Sequence, residues 1–214
     1  MRKFDTCFFE RYAKLTLEIV LGDAYSALIN EDRPDLQMPD GSLGIEVTRA
    51  MEPRKDVAQN MLKEMAGLTV KDEDKAEVDE IIRSGYGYGL QDGRFIGHLE
   101  YEYWRLALPL LRIIESKVSK VGSGFYGEFD EYGLYIFCKD ELTQEEVKLT
   151  MEYTFELQKH LDVRYSKMYL SMINRLYVCD LSAVNPLHHP TTKYTSYEIT
   201  RRMCKEFFLK SLDR

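Results

Sequence analysis

A chain of 214 residues with 44% hydrophobic and 30% charged residues has an ordinary globular composition and enough length for a substantial core. Its net charge of -7 counts against a broad electrostatic grip on nucleic acid, which needs a basic surface, but leaves room for a local basic patch. No apolar run is long enough to cross a bilayer, and the charges inside MRKFDTCFFERYAKL argue against a signal peptide, so the expected location is cytoplasmic.

The first predicted element is a helix capped at Asp5 or Thr6 and ending near Gly22, with Phe8, Tyr12, Leu15 and Ile19 as its buried stripe. At about 100° per residue, Glu18 then falls about 80° from the centre of that stripe and borders the core, while Glu10, about 160° away, points to water. Next comes RPDLQMPDGSLGIEVTRA. Pro39-Asp40-Gly41 between two apolar runs is a turn signature: Pro presets φ, Asp bonds its own backbone, and Gly accepts a positive φ. A two-residue or four-residue loop gives the same register, with Asp35 opposite Glu46, Leu36 opposite Ile45, Met38 opposite Leu43 and Pro34 opposite Val47. One face of this hairpin is wholly apolar, and Arg33, Asp35, Gln37, Glu46 and Thr48 share the other.

Residues 57–68 and 74–83 read as two short helices, and SGYGYGLQDGRFIG as a glycine-rich loop whose Tyr86 and Tyr88 could stack on bases but more simply form plain loop. A long helix is expected over 98–120, kinked at Pro109. YGLYIFC, Tyr132 to Cys138, reads as a strand covered on both faces, and Thr143 with Glu146 forms a capping box opening a helix through about His160. Two strands follow, Lys167 to Ser171 and Arg175 to Leu181. A second capping box, Thr195 with Glu198, is expected to open the last helix, a mildly basic segment. The whole is an α/β chain with a mixed sheet flanked by helices, one domain over 1–214 with a helical insertion around residues 54–121.

Several other patterns carry little chemistry. Gly122, Gly124 and Gly127 spell GxGxxG, but helix precedes and strand follows, the reverse of a dinucleotide site. His188-His189 reads as loop, and Cys7, Cys138, Cys179 and Cys204 lack CxxC spacing and read as reduced thiols.

The chemistry-bearing feature is the pair of carboxylates at 35 and 46. Facing acids across a strand pair repel by a few tenths to about 1 kcal/mol, which a divalent cation would offset; oxygen-only ligands favour Mg²⁺, Mn²⁺ or Ca²⁺ over zinc. The plain alternative is a solvated face whose acids serve solubility. Pro34-Asp35 on one strand and Glu46-Val47-Thr48 on the next, after a helix bearing Glu18, resemble the signature of the PD-(D/E)XK, restriction-endonuclease-like nuclease superfamily. The order helix, strand, strand, strand, helix, strand is similar to that superfamily's core once residues 54–121 are set aside as an insertion.

The resemblance implies a metal-dependent nuclease. Glu18, Asp35 and Glu46 would hold Mg²⁺ or Mn²⁺, Thr48 would position a water, and Gln37 would bond a substrate phosphate. Thr48 stands where the motif has lysine and cannot neutralise a phosphorane, so a cation must come from elsewhere. Arg33, opposite Thr48, and Lys14, one turn before Glu18, are the candidates. The implied partner is nucleic acid, DNA ahead of RNA, with no membrane and with room for a homodimer. The rival reading is an inactive nuclease-like binding or scaffold protein, suggested by the missing lysine and the acidic charge. A third, weaker one is an enzyme acting on a small phosphorylated ligand.

Overall fold

The computed structural model describes residues 8–50, 90–91, 94–95, 109–138, 141–182 and 193–212. The expected helix cap at Asp5 or Thr6, the helices over 57–68 and 74–83, the part of the 98–120 helix before Pro109 with its kink, Tyr86, Tyr88 and His188-His189 lie outside them. The chain divides into two compact units, one of residues 1–50 with 113–214 and one of residues 51–112. In the second unit, Leu90–Gln91 (β4) and Arg94–Phe95 (β5) pair antiparallel where the sequence suggests plain loop.

The first unit is built on a seven-stranded mixed sheet, with four helices among the described residues of the chain. Helix α1 (Phe8–Leu21) leads into a meander of β1 (Ile29–Asn30), β2 (Leu36–Gln37) and β3 (Leu43–Ala50). Helix α2 (Pro109–Gly122) precedes β6 (Glu131–Cys138), which lies parallel to β3. Helix α3 (Gln144–Gln158) crosses over to β7 (Tyr165–Ser171), parallel to β6, and then β8 (Arg175–Asp180), β9 (Lys193–Glu198) and helix α4 (Arg201–Leu212) complete the chain. The sheet order is β1-β2-β3-β6-β7-β8-β9.

The hairpin register is the expected one: Leu36 pairs with Ile45 and Gln37 with Gly44. Pro39 to Ser42 form the loop, closed by Gly41 N–H donating to Met38 O at 2.9 Å, with Gly41 at φ 77°. The Asp40 carboxylate accepts from Ser42 N at 3.0 Å, the local bond that makes Asp a turn residue. Leu36, Leu43 and Ile45 join Ala13 and Leu17 of α1, Phe207 of α4 and Tyr135 and Tyr169 of the central strands in one core. Strand β6, interior to the sheet, is buried almost throughout, as its unbroken apolar run requires. The capping box of α3 is formed: Thr143 Oγ1 accepts from Glu146 N at 3.2 Å, and Glu146 Oε2 from Thr143 N at 2.7 Å.

Two elements differ from expectation. Helix α1 is rotated: Ala13, Thr16 and Leu17 are buried with Phe8, whereas Ile19 is 43% exposed. The small Ala13 and Thr16 allow the sheet and α4 to approach closely, so side-chain size rather than hydropathy decides which face turns inward. The last helix begins at Arg201, with Thr200 Oγ1 accepting from Met203 N at 3.3 Å. Thr195 and Glu198, expected as its capping box, instead belong to β9, where the Tyr- and Thr-containing segment pairs with β8. In α2, residues from Ile113 onward belong to the first unit, and Ile114, Val118 and Val121 are buried.

Gly44, two residues before Glu46, has no room for a side chain. A Cβ there would sit 2.7 Å from the Pro34 ring and 3.0 Å from the Phe129 ring, and neither ring can swing aside. Gly44→Ala is expected to lower stability by about 1–3 kcal/mol in urea denaturation.

Candidate active site

The ladder between β2 and β3 pairs Gln37 with Gly44 and Leu36 with Ile45 and goes no further. The next amide along β3, Val47 N–H, donates instead to the Asp35 carboxylate, at 2.7 Å from Oδ2. A side chain thus continues the pairing that the main chain leaves off, and it fixes the Asp35 carboxyl beside β3. By alternation, Glu46 lies on the opposite face of β3 from the core residue Ile45, and it is only 8% exposed. The two acids sense one another. Burial first, and then the Glu46 carboxylate, hold the Asp35 carboxyl up at about 7, against the lowering effects of the Val47 amide and Lys117.

Lys117 of α2 completes the arrangement. Its Nζ lies 2.5 Å from Glu46 Oε1, and both side chains are largely buried, 14% and 10% exposed. Tyr126, in the turn after α2, is 2% exposed, and its hydroxyl lies beside Glu46 and Tyr165 without a hydrogen bond of normal geometry. Tyr165 OH donates to Lys117 O at 3.3 Å. Burial and then the neighbouring Glu46 push the Tyr126 hydroxyl well above its ordinary value, so it stays a proton-bearing donor.

The residues singled out from the sequence distribute unevenly about this centre. Asp35 and Glu46 converge. Thr48, half-buried, follows Glu46 on the same face of β3. Gln37 donates its amide to Pro34 O at 3.0 Å, within its own hairpin. Arg33, at φ 67°, turns away from the acids: its guanidinium lies 5.0 Å from the centre of the Phe125 ring and 3.6 Å from Asp32. On α1, Glu10 is the acid whose charge reaches Asp35. Glu18 lies about 180° from the buried stripe and Glu10 about 100° from it, and both are half-buried.

Lys117 had a visible signal that the hydropathy pattern obscures. It falls about 20° from Leu110 on the wheel of α2, at the edge of the stripe of the buried Leu110, Ile114, Val118 and Val121. A lysine on a buried stripe needs a buried acid.

Among the described residues, no group of three or more His, Cys, Asp and Glu side chains is placed to hold a metal ion. The donor set that exists is two carboxyl groups beside one ammonium; with both ionised they would carry an excess of negative charge, which Asp35 avoids by keeping its proton up to about 7. Comparison of the chain with family models, with curated proteins and with solved structures gives no match.

Two outcomes test this geometry. Asp35 titrates near 3.8 when unfolded and near 7 when folded. Between those values the folded state keeps a proton the unfolded chain has lost, so stability falls as pH rises from about 4 to about 7. Asp35→Asn should therefore raise stability at pH 8 by about 1–2 kcal/mol, discounted for partial exposure, and give no gain at pH 4, both read by urea denaturation. Lys117→Met strands a buried carboxylate and should cost about 2–4 kcal/mol, while Glu46→Gln with Lys117→Met recovers most of that loss in a double-mutant cycle.

Proposed function

We propose that this protein is a divalent-metal-dependent phosphodiesterase of the restriction-endonuclease-like nuclease type, with Asp35 and Glu46 as the metal-holding acids and Lys117 in the part left vacant by Thr48. The observation that carries this reading is the buried Lys117–Glu46 contact beside Asp35. The mixed sheet supports it, since α1, β2, β3, β6, α3 and β7 follow the superfamily's order once residues 54–121 are set aside. The donor set fits a hard cation: both ligands are carboxylates, their charge exceeds that of Lys117, and the protonated Asp35 would release its proton in exchange.

A bound Mg²⁺ or Mn²⁺ would supply an acidified water and a Lewis acid at the phosphate. The chain's own residues do the rest. Asp35 is oriented through Val47 N–H, so its position is set by the sheet rather than by a flexible loop. Lys117 brings a desolvated ammonium to the site, able to stabilise charge on a phosphorane where threonine cannot. Tyr126 offers a buried hydroxyl with spare donor capacity. Nucleic acid, DNA ahead of RNA, is the substrate class.

The test is a Mn²⁺ titration followed by a plasmid-nicking assay. Mn²⁺ at a hundredfold excess over Kd should stabilise the protein by about 2.7 kcal/mol. Asp35→Ala with Glu46→Ala should abolish both the stabilisation and the nicking, whereas Lys117→Ala should still bind Mn²⁺ and nick at least a hundredfold more slowly, a loss in keeping with removal of one electrostatic stabiliser. Metal binding without nicking by the unaltered protein would favour the rival reading, a nuclease-like binding protein that has lost its chemistry.

A further inference from the structure

The turn after α2 sends two adjacent aromatic residues in opposite directions. Tyr126 goes inward to Glu46, while Phe125 is left 43% exposed. Phe125 N–H donates to Lys120 O at 3.2 Å, tying the turn to the last turn of the helix. Two cations crowd this one exposed ring: Arg33 Cζ is 5.0 Å from its centre and Lys120 Nζ 5.1 Å. Lys120 is one turn beyond Lys117 on α2, and Arg33 is two residues before Asp35, so the cluster is carried by the same helix and hairpin as the acidic pair and its lysine.

Like charges gathered on one side chain repel, and the counter-charge beside Arg33 is weak. Asp32, 3.6 Å from the Arg33 Nε, is 87% exposed, so water screens the pair. Arg33 also occupies the left-handed region at φ 67°, which costs a non-glycine residue about 1 kcal/mol. An exposed cation–π contact offsets only about 0.5–1 kcal/mol. Stability therefore accounts poorly for a strained arginine and a lysine held together on a ring. A binding role accounts for it better: Phe125 gathers two otherwise mobile cationic side chains at one place on the surface, where an anion would relieve their repulsion.

We propose that Arg33 and Lys120, braced by Phe125, form a phosphate clamp that grips the backbone of a nucleic acid strand next to the Asp35–Glu46 centre. The proposal rests on the nuclease reading for its choice of polymer, but the clamp itself binds without metal and without cleavage. It also gives an acidic protein a means of engaging nucleic acid through a local patch rather than through its overall charge.

The experiment measures binding of a short fluorescent single-stranded oligonucleotide by anisotropy, in EDTA, across a series of salt concentrations. Replacing both cations by glutamine, Arg33→Gln with Lys120→Gln, should weaken binding at least tenfold and reduce the slope of log K against log salt by about 1.4, two phosphate contacts' worth. Phe125→Leu keeps both charges and an apolar side chain but removes the ring, and should weaken binding about threefold. Inorganic phosphate at matched ionic strength should not displace the oligonucleotide. An unchanged salt slope in the double variant, no binding by the unaltered protein, or full displacement by inorganic phosphate would each overturn the clamp. Absence of nicking by the unaltered protein, with the salt slope falling as expected in the double variant, would count against the nuclease reading alone.

Discussion

The centre of this molecule depends on a buried charge balance at β3. Glu46 faces away from the main core but is almost without solvent, and Asp35 is held beside it because, where the hairpin ladder ends, Val47 N–H takes the carboxylate in place of a carbonyl. Two acids in such a place repel and are poorly hydrated. Lys117 offsets one of them at 2.5 Å, and the other answers by holding its proton up to about 7. The position of α2 against the sheet, the inward turn of Tyr126 and the protonation of Asp35 all follow from that balance.

Such an arrangement does not persist for stability alone. A buried ion pair of this kind is often no better than apolar residues of equal volume, and a second acid beside it makes matters worse. The excess of negative charge is the feature that separates the nuclease reading from a passive one. A site built merely to be inert would have gained by turning Asp35 to Asn, whereas one that exchanges a proton for a cation needs the carboxyl. On the proposed nuclease reading, Thr48 in the place of a lysine is a relocation of charge rather than its loss, because the ammonium reaches Glu46 from a helix instead of from the strand itself.

Much of this was legible in the sequence where the determinants are local. The Pro-Asp-Gly turn fixed the hairpin register, the Thr143–Glu146 box opened α3, and the unbroken apolar run of β6 announced an interior strand. Where the outcome depends on packing between distant elements, the sequence was a poor guide. The roll of α1 is settled by how closely Ala13 and Thr16 let the sheet approach, which hydropathy does not encode, and so Glu10, expected to point to water, is the acid whose charge reaches Asp35. Thr195-x-x-Glu198 satisfies the spacing of a helix cap, yet pairing with β8 claims those residues for the sheet. Lys117 was hidden because its partner is 71 positions away, although its place on a buried stripe marks it as a residue owed a counter-charge.

The two margins of the seven-stranded sheet are unlike each other. On one side β1 is only two residues long and gives an incoming strand almost nothing to pair with. On the other, β9 presents six residues, KYTSYE, and would be an open invitation to stack copies edge to edge were it not for its chemistry. Lysine at one end, glutamate at the other and hydroxyl-bearing residues between them mean that a flush neighbour would have to dehydrate polar groups along the whole length of the strand. Colloidal good behaviour is thereby written into the margin farthest from the acidic pocket, leaving the hairpin end of the sheet free to be shaped by chemistry instead of by solubility.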